Sequence, residues 1–162
     1  MRKSIVAAGL ITMAGAAHAA EPLIEVRDRI HGFVYVTYEK EWAFSPVSRH
    51  GVSMIHSRLR TSFRLKRALG SKELEKAIAS RRVRLEKQKD VEVFPDAATL
   101  AIAGYTAKGF FWENTKRKRK SFQGWFDKDG VLFELQCEGP IEKFDAGLNG
   151  CKTVAGNIKE TL

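Results

Sequence analysis

The chain has 162 residues, with 28 Lys and Arg against 19 Asp and Glu, for a formal net charge of +9. That length suits a single domain able to bury roughly two-thirds of its unfolded surface, and no repeat, low-complexity tract or linker divides it. The positive balance points to acidic partners, although it also serves plain solubility.

The N-terminus reads as an export leader. Arg2 and Lys3 form a short positive region, Ile5 to Ala17 is apolar or small apart from Thr12, and Ala17-His18-Ala19 offers small residues to a signal peptidase. Cleavage before Ala20 is expected, so residues 1–19 are the leader and residues 20–162 the single domain. The apolar run is too short to cross a bilayer of about 30 Å as a helix. No cysteine near the cut could carry a lipid. The expected location is periplasmic or secreted.

Pro22 to Ile30 is a polar lead-in with edge-strand character, and Phe33 to Tyr38 is a strand, with Val34, Val36 and Tyr38 alternating. Ser45-Pro46 and His50-Gly51 lead to a second strand, Val52 to Leu59, followed by a segment to Arg67 that interleaves cations and apolar residues. Gly70-Ser71 opens a helix with Glu73 in its first turn; Leu74, Ala77, Ile78, Arg81 and Leu85 form its stripe, and Arg82 and Glu86 an i,i+4 pair. Val91 to Phe94 reads as a short strand closed by Pro95-Asp96, before an apolar run over Ala98 to Ala103.

An aromatic strand over Gly104–Glu113, a basic loop over Thr115–Lys120 and a strand over Ser121–Phe126 follow. The Asp127-Lys128-Asp129-Gly130 turn then opens Val131–Cys137. Pro140 and Asn149-Gly150 mark the way to a last helix, whose Cys151, Val154, Ala155, Ile158 and Leu162 share one face. The two cysteines of an exported chain imply a Cys137–Cys151 disulfide. Closing that loop stabilises by roughly 3 kcal/mol in the chain-entropy treatment. It would pin the last helix to the strand that carries Cys137. The order implies an α+β fold, an antiparallel sheet flanked by helices as an α/β/α sandwich.

The chain resembles the PsbP-like or Mog-like superfamily of small α/β/α sandwiches. Carrying the resemblance are Tyr38-Glu39-Lys40-Glu41-Trp42, the helix at Ser71–Lys89 and the Gly104–Glu113/Ser121–Phe126 hairpin. The strand Val131–Cys137 and Pro140-Ile141-Glu142-Lys143-Phe144 add to it. The resemblance implies a mostly non-catalytic protein of the kind found as photosystem accessory subunits, a binder of a small GTPase, or periplasmic immunity proteins. Unlike the lipoprotein members, this chain has no lipid-bearing cysteine, and the basic loop is not a motif that the family supplies.

That loop, Lys116-Arg117-Lys118-Arg119-Lys120, lies between Phe110, Phe111 and Trp112 on one side and Phe122, Trp125 and Phe126 on the other. Five adjacent cations repel one another and must be solvated, which a hairpin tip allows. Trp112, Trp125 and these cations form the expected partner-binding set, with one of the two indoles exposed; the plainer reading is a solvated loop between sheet strands. Asp127, Asp129 and Glu138 mimic a calcium loop, but Leu132 stands where glycine is needed, so an Asp-Gly turn accounts for them. His31, His50 and His56 lack the companions that zinc requires. No metal or cofactor is expected.

No nucleophile-elbow, metalloprotease or phosphate-loop motif is present, so no catalytic residue is named and the chain is expected not to be an enzyme. The expected function is an exported binding protein, of immunity, inhibitor or accessory type, engaging an acidic protein through the C-terminal sheet and basic loop. The alternatives are a binder of anionic polymer or membrane surface, and a hydrolase whose residues converge only in space. Nucleic acid does not suit an exported protein.

Overall fold

Alternating side chains build most of this molecule, because each strand must serve two covered faces. The computed structural model describes residues 21–161 except residue 71. The leader from Arg2 to Ala19, the cut before Ala20, Ser71 and Leu162 lie outside the described residues.

The chain runs β1 (Ile24–Asp28), β2 (Phe33–Thr37), β3 (Trp42–Phe44), β4 (Val52–His56), β5 (Thr61–Arg67) and α1 (Leu74–Glu86). It continues through β6 (Val91–Ile102), β7 (Tyr105–Asn114), β8 (Arg119–Lys128), β9 (Val131–Pro140), α2 (Phe144–Asn157) and β10 (Lys159–Glu160). Seven strands form an antiparallel sheet in the order β3-β4-β5-β9-β8-β7-β6, and β1, β2 and β10 form a separate three-stranded sheet. On β9, Phe133, Leu135 and Cys137 join one core with α2 and the small sheet, while Leu132 joins a second core under α1. The fold is α+β and antiparallel. It is not a clean helix-flanked sandwich, because α2 shares its face with the three-stranded sheet.

The edge character within Pro22–Ile30 holds as β1, and the strand expected over Phe33–Tyr38 forms as β2 but stops at Thr37, leaving Tyr38 exposed. Several boundaries differ. The second strand ends at His56, because Arg60 turns through φ 54° before β5 begins. The three residues of β3 are too few for alternation to declare them. The first helix starts at Leu74 with Glu73 as its N-cap. Arg82 does not pair with Glu86: it donates to the Phe94 carbonyl (2.9 Å) and lies 4.6 Å from the Phe110 ring centre.

Pro95 does not end a strand. It sits in a bulge where β6 advances four positions, from Val93 to Ala97, against two on β7. An edge strand tolerates such a slip, since proline has no N–H to give the ladder. Ala103 and Gly104, at φ 47° and 84°, make the two-residue turn between β6 and β7, so the aromatic strand begins at Tyr105. Asp129 and Gly130 do the same between β8 and β9, where Asp127 Oδ1 accepts the Gly130 N–H (2.9 Å).

The last helix starts at Phe144, passes through Asn149-Gly150 and stops at Asn157; β10 follows and pairs with β2. The apolar stripe from Cys151 to Ile158 is buried as expected. The glycines do not break this helix because they are its contact surface. A Cβ on Gly147 would collide with Thr61 Oγ1 on β5, and one on Gly150 would press on Trp42 at 3.3 Å. Cys137 and Cys151 are bonded, with Cα atoms 6.2 Å apart.

Gly147→Ala should therefore destabilise the protein by about 1–3 kcal/mol through overpacking. Gly156 is exposed on the same helix, and a Cβ there would meet nothing within 4 Å, so Gly156→Ala should stabilise by about 0.5–1 kcal/mol. Urea denaturation of the two variants checks both signs.

Candidate functional site: a basic hairpin tip and the polar face under α1

The β7–β8 hairpin divides the five-cation run. Thr115 to Lys118 form the connecting turn, while Arg119 and Lys120 are the first residues of β8. The turn is firmly held. Asn114 Oδ1 accepts the Arg117 N–H (2.8 Å), and the Asp90 carbonyl accepts the Thr115 N–H (2.9 Å). Lys118 sits at φ 52°, and its carbonyl accepts the Ile141 N–H (3.1 Å). Lys116, Arg117 and Lys118 are exposed.

Arg119 and Lys120 point to opposite faces and are both engaged. Arg119 pairs with Glu138 (3.2 Å) and donates to the Arg60 carbonyl (3.1 Å). Lys120 pairs with Glu113 (3.1 Å), and its ammonium stands 4.5 Å from the Phe94 ring centre and 5.7 Å from that of Phe144. The run is thus a cluster of three solvated cations and two tied ones.

Both expected anchors are buried. Trp112 is 8% exposed and Trp125 3%, and with Phe110, Leu85 and Leu132 they form the core beneath α1. Neither indole is available as a surface anchor. Strand alternation explains it: both rings lie on the face that α1 covers. The Trp112 Nε1 has no hydrogen-bond partner.

Next to these rings lies a polar network that was not singled out from the sequence. Arg81 on α1 donates from Nε to Gln123 Oε1 (3.0 Å), and Gln123 donates to Glu134 Oε1 (2.8 Å), which Lys66 also meets (3.3 Å). Gln136 donates to Ser121 Oγ (3.4 Å) and to Glu138 Oε2 (3.3 Å). The signal was present in Glu134-x-Gln136-x-Glu138 and Ser121-x-Gln123, polar residues at period two. Burial pulls the Arg81 pKa below its ordinary value; Glu134 opposes the shift and Arg84 adds to it.

The histidines are scattered. His56 Nδ1 accepts the Leu59 N–H (3.2 Å) and its ring packs on Trp42, His31 bonds Asp28 (2.7 Å), and His50 is exposed. Asp28 also accepts the backbone N–H groups of Ile30 and His31, so this dyad closes the β1–β2 turn. Among the described residues, no three His, Cys, Asp or Glu side chains gather as a metal site would require. No helix among them is long and apolar enough to cross a membrane.

Neither a family model nor a curated relative matches the sequence. Solved structures do. PsbP (CyanoP) from Synechocystis sp. PCC 6803 aligns over 89% of this chain and 95% of its own, with a TM-score of 0.54 and 14% identity. The fold is PsbP-like. LpqN, involved in cell envelope biogenesis of Mycobacterium tuberculosis, aligns over 76% of this chain and 80% of its own, with a TM-score of 0.52 and 10% identity. At such identities the PsbP-like likeness describes the fold alone, and the functional reading must come from this chain's own residues.

Trp112→Ala and Trp125→Ala should each destabilise by roughly 3–5 kcal/mol, as for a large aromatic removed from a core. Acrylamide should quench native tryptophan fluorescence weakly, since Trp42, Trp112 and Trp125 are all buried. Strong native quenching, or variants of unchanged denaturation midpoint, would contradict the placement.

Proposed function

We propose that this chain is an exported, non-catalytic binding protein that engages the acidic surface of a protein partner, in an immunity, inhibitor or accessory role. The observation that carries the reading is the hairpin tip: Lys116, Arg117 and Lys118 stand exposed on a turn braced by Asn114 and Asp90. A braced tip spends little ordering entropy on binding, and its three cations steer an acidic surface toward it.

The compartment is supported by the disulfide, since such bonds persist mainly in oxidising environments. The involvement of LpqN in cell envelope biogenesis agrees with it. Arg119 and Lys120 fix the strand beneath the tip through their ion pairs, and the buried indoles stiffen the sheet behind it. Periplasmic or secreted location and the absence of catalysis are part of the same proposal.

Replacing Lys116, Arg117 and Lys118 together by Gln should leave the denaturation midpoint unchanged. It should slow association with a partner captured from the periplasmic fraction by roughly tenfold at low salt, and the difference should fade as ionic strength rises. Surface-plasmon kinetics read both. A variant that associates as fast as the parent at low salt would remove the tip from the interface. Recovery of a heparin-like polyanion as the sole ligand would replace the protein partner with an anionic polymer.

A further inference from the structure

Helix α1 has a second stripe beside the one that packs on the sheet. Glu73, Lys76, Ser80 and Arg84 recur at steps of three and four residues, next to Ala77 and Arg81. This stripe borders a cleft of about 330 Å³ between the helix and the sheet, with Trp125 and Glu134 on the sheet side and Lys72 beside the helix start. The hairpin tip contributes nothing to it.

The charges in the cleft are unequal. Lys72, Lys76, Arg81 and Arg84 face it against two carboxylates, Glu73 and Glu134. Glu134 is already met by Gln123 and Lys66. Lys72, Lys76 and Arg84 form no ion pair with a described residue. Arg81 is half-buried and held at Nε by Gln123, so its guanidinium has a fixed position rather than a free arc.

Concentrating like charges in this way costs stability. Arg81 and Arg84 repel each other, and that repulsion adds to the lowering of the Arg81 pKa that burial chiefly causes. An ordinary solvated helix face would spread such cations over convex surface, where water and long side chains relax them. Here they converge on a concavity with an immobilised arginine. Lys72 is shared with a neighbouring hollow lined by Arg49, His50 and Arg67, so the positive field continues past the cleft's end.

We infer that the cleft between α1 and the sheet binds a compact ligand carrying two or more adjacent oxyanion groups, gripped by Lys72, Lys76, Arg81 and Arg84. Arg81 presents its remaining guanidinium donors for paired hydrogen bonds to one such group, and the flexible cations close over the others. Phosphate and carboxylate groups share this chemistry, and two probes separate them.

Isothermal titration with pyrophosphate and with citrate, each against acetate at matched ionic strength, tests the inference. At least one polyanion should bind saturably while acetate does not. Preference for pyrophosphate assigns the site to phosphate, preference for citrate to carboxylates, and equal binding to clustered oxyanions of either kind. Lys76→Gln combined with Arg84→Gln should weaken binding by roughly tenfold or more. These side chains are exposed, so an unchanged melting temperature verifies the fold. The Lys116, Arg117 and Lys118 variant should bind the polyanion like the parent, which separates this site from the hairpin tip. In the parent, the Trp125 indole N–H resonance should shift on binding. Absence of saturable binding to either polyanion would overturn the site, and so would equal weakening in both sets of variants.

Discussion

The close seat of α2 on the central sheet is the constraint from which most of this structure follows. Helix and sheet approach so tightly at Gly147 that Thr61 leaves no space for a Cβ. The Cys137–Cys151 bond fixes the same pair of elements one helical turn further on. With that distance set, Phe144, Val154, Ala155 and Ile158 reach the aromatic core built from Phe63, Phe122 and Phe133. The helix then ends where β10 can pair with β2, so the tail of the chain holds the small sheet against the same core. The N-terminal strands therefore depend on a helix that forms last in sequence.

Burying one face so completely frees the other for polar work. Under α1 the core is small and aromatic, and beyond it the sheet carries a hydrogen-bonded array from Arg81 through Gln123 and Glu134 to Lys66. Buried polar groups are tolerated when they are paired, and this array pairs them across α1, β8, β9 and β5. The rigid sheet supplies both the braced hairpin tip and the wall of the basic cleft. The two basic features lie on different elements and can be altered separately.

Much of this was legible in the sequence, for identifiable reasons. Period-two alternation located the strands, Asp129-Gly130 declared its hairpin, and two cysteines in a chain read as exported declared their bond. Other features depend on contacts that no local pattern reports. Asn149-Gly150 looks like a helix break, yet the glycine serves the approach to Trp42. Pro95 looks like a strand end, yet an edge position absorbs it as a bulge. Trp112 and Trp125 looked available because the hairpin's two faces are equivalent in sequence; only the placement of α1 decides which face is covered. The cleft was hidden for a similar reason, since Lys76 and Arg84 acquire meaning only opposite Trp125 and Glu134.

Hydrogen exchange before and after reduction of the disulfide tests the central role of the α2 seat most directly. With the Cys137–Cys151 bond intact, the amides of α2 and of β10 should exchange as slowly as those of β5 and β9. After reduction, α2 and β10 should open together at lower free energy, and β2 should lose protection with them, while β7 and β8 stay protected. If α2 keeps its protection after reduction, or if β2 is indifferent to the opening of α2, the small sheet does not depend on that helix and the account is wrong.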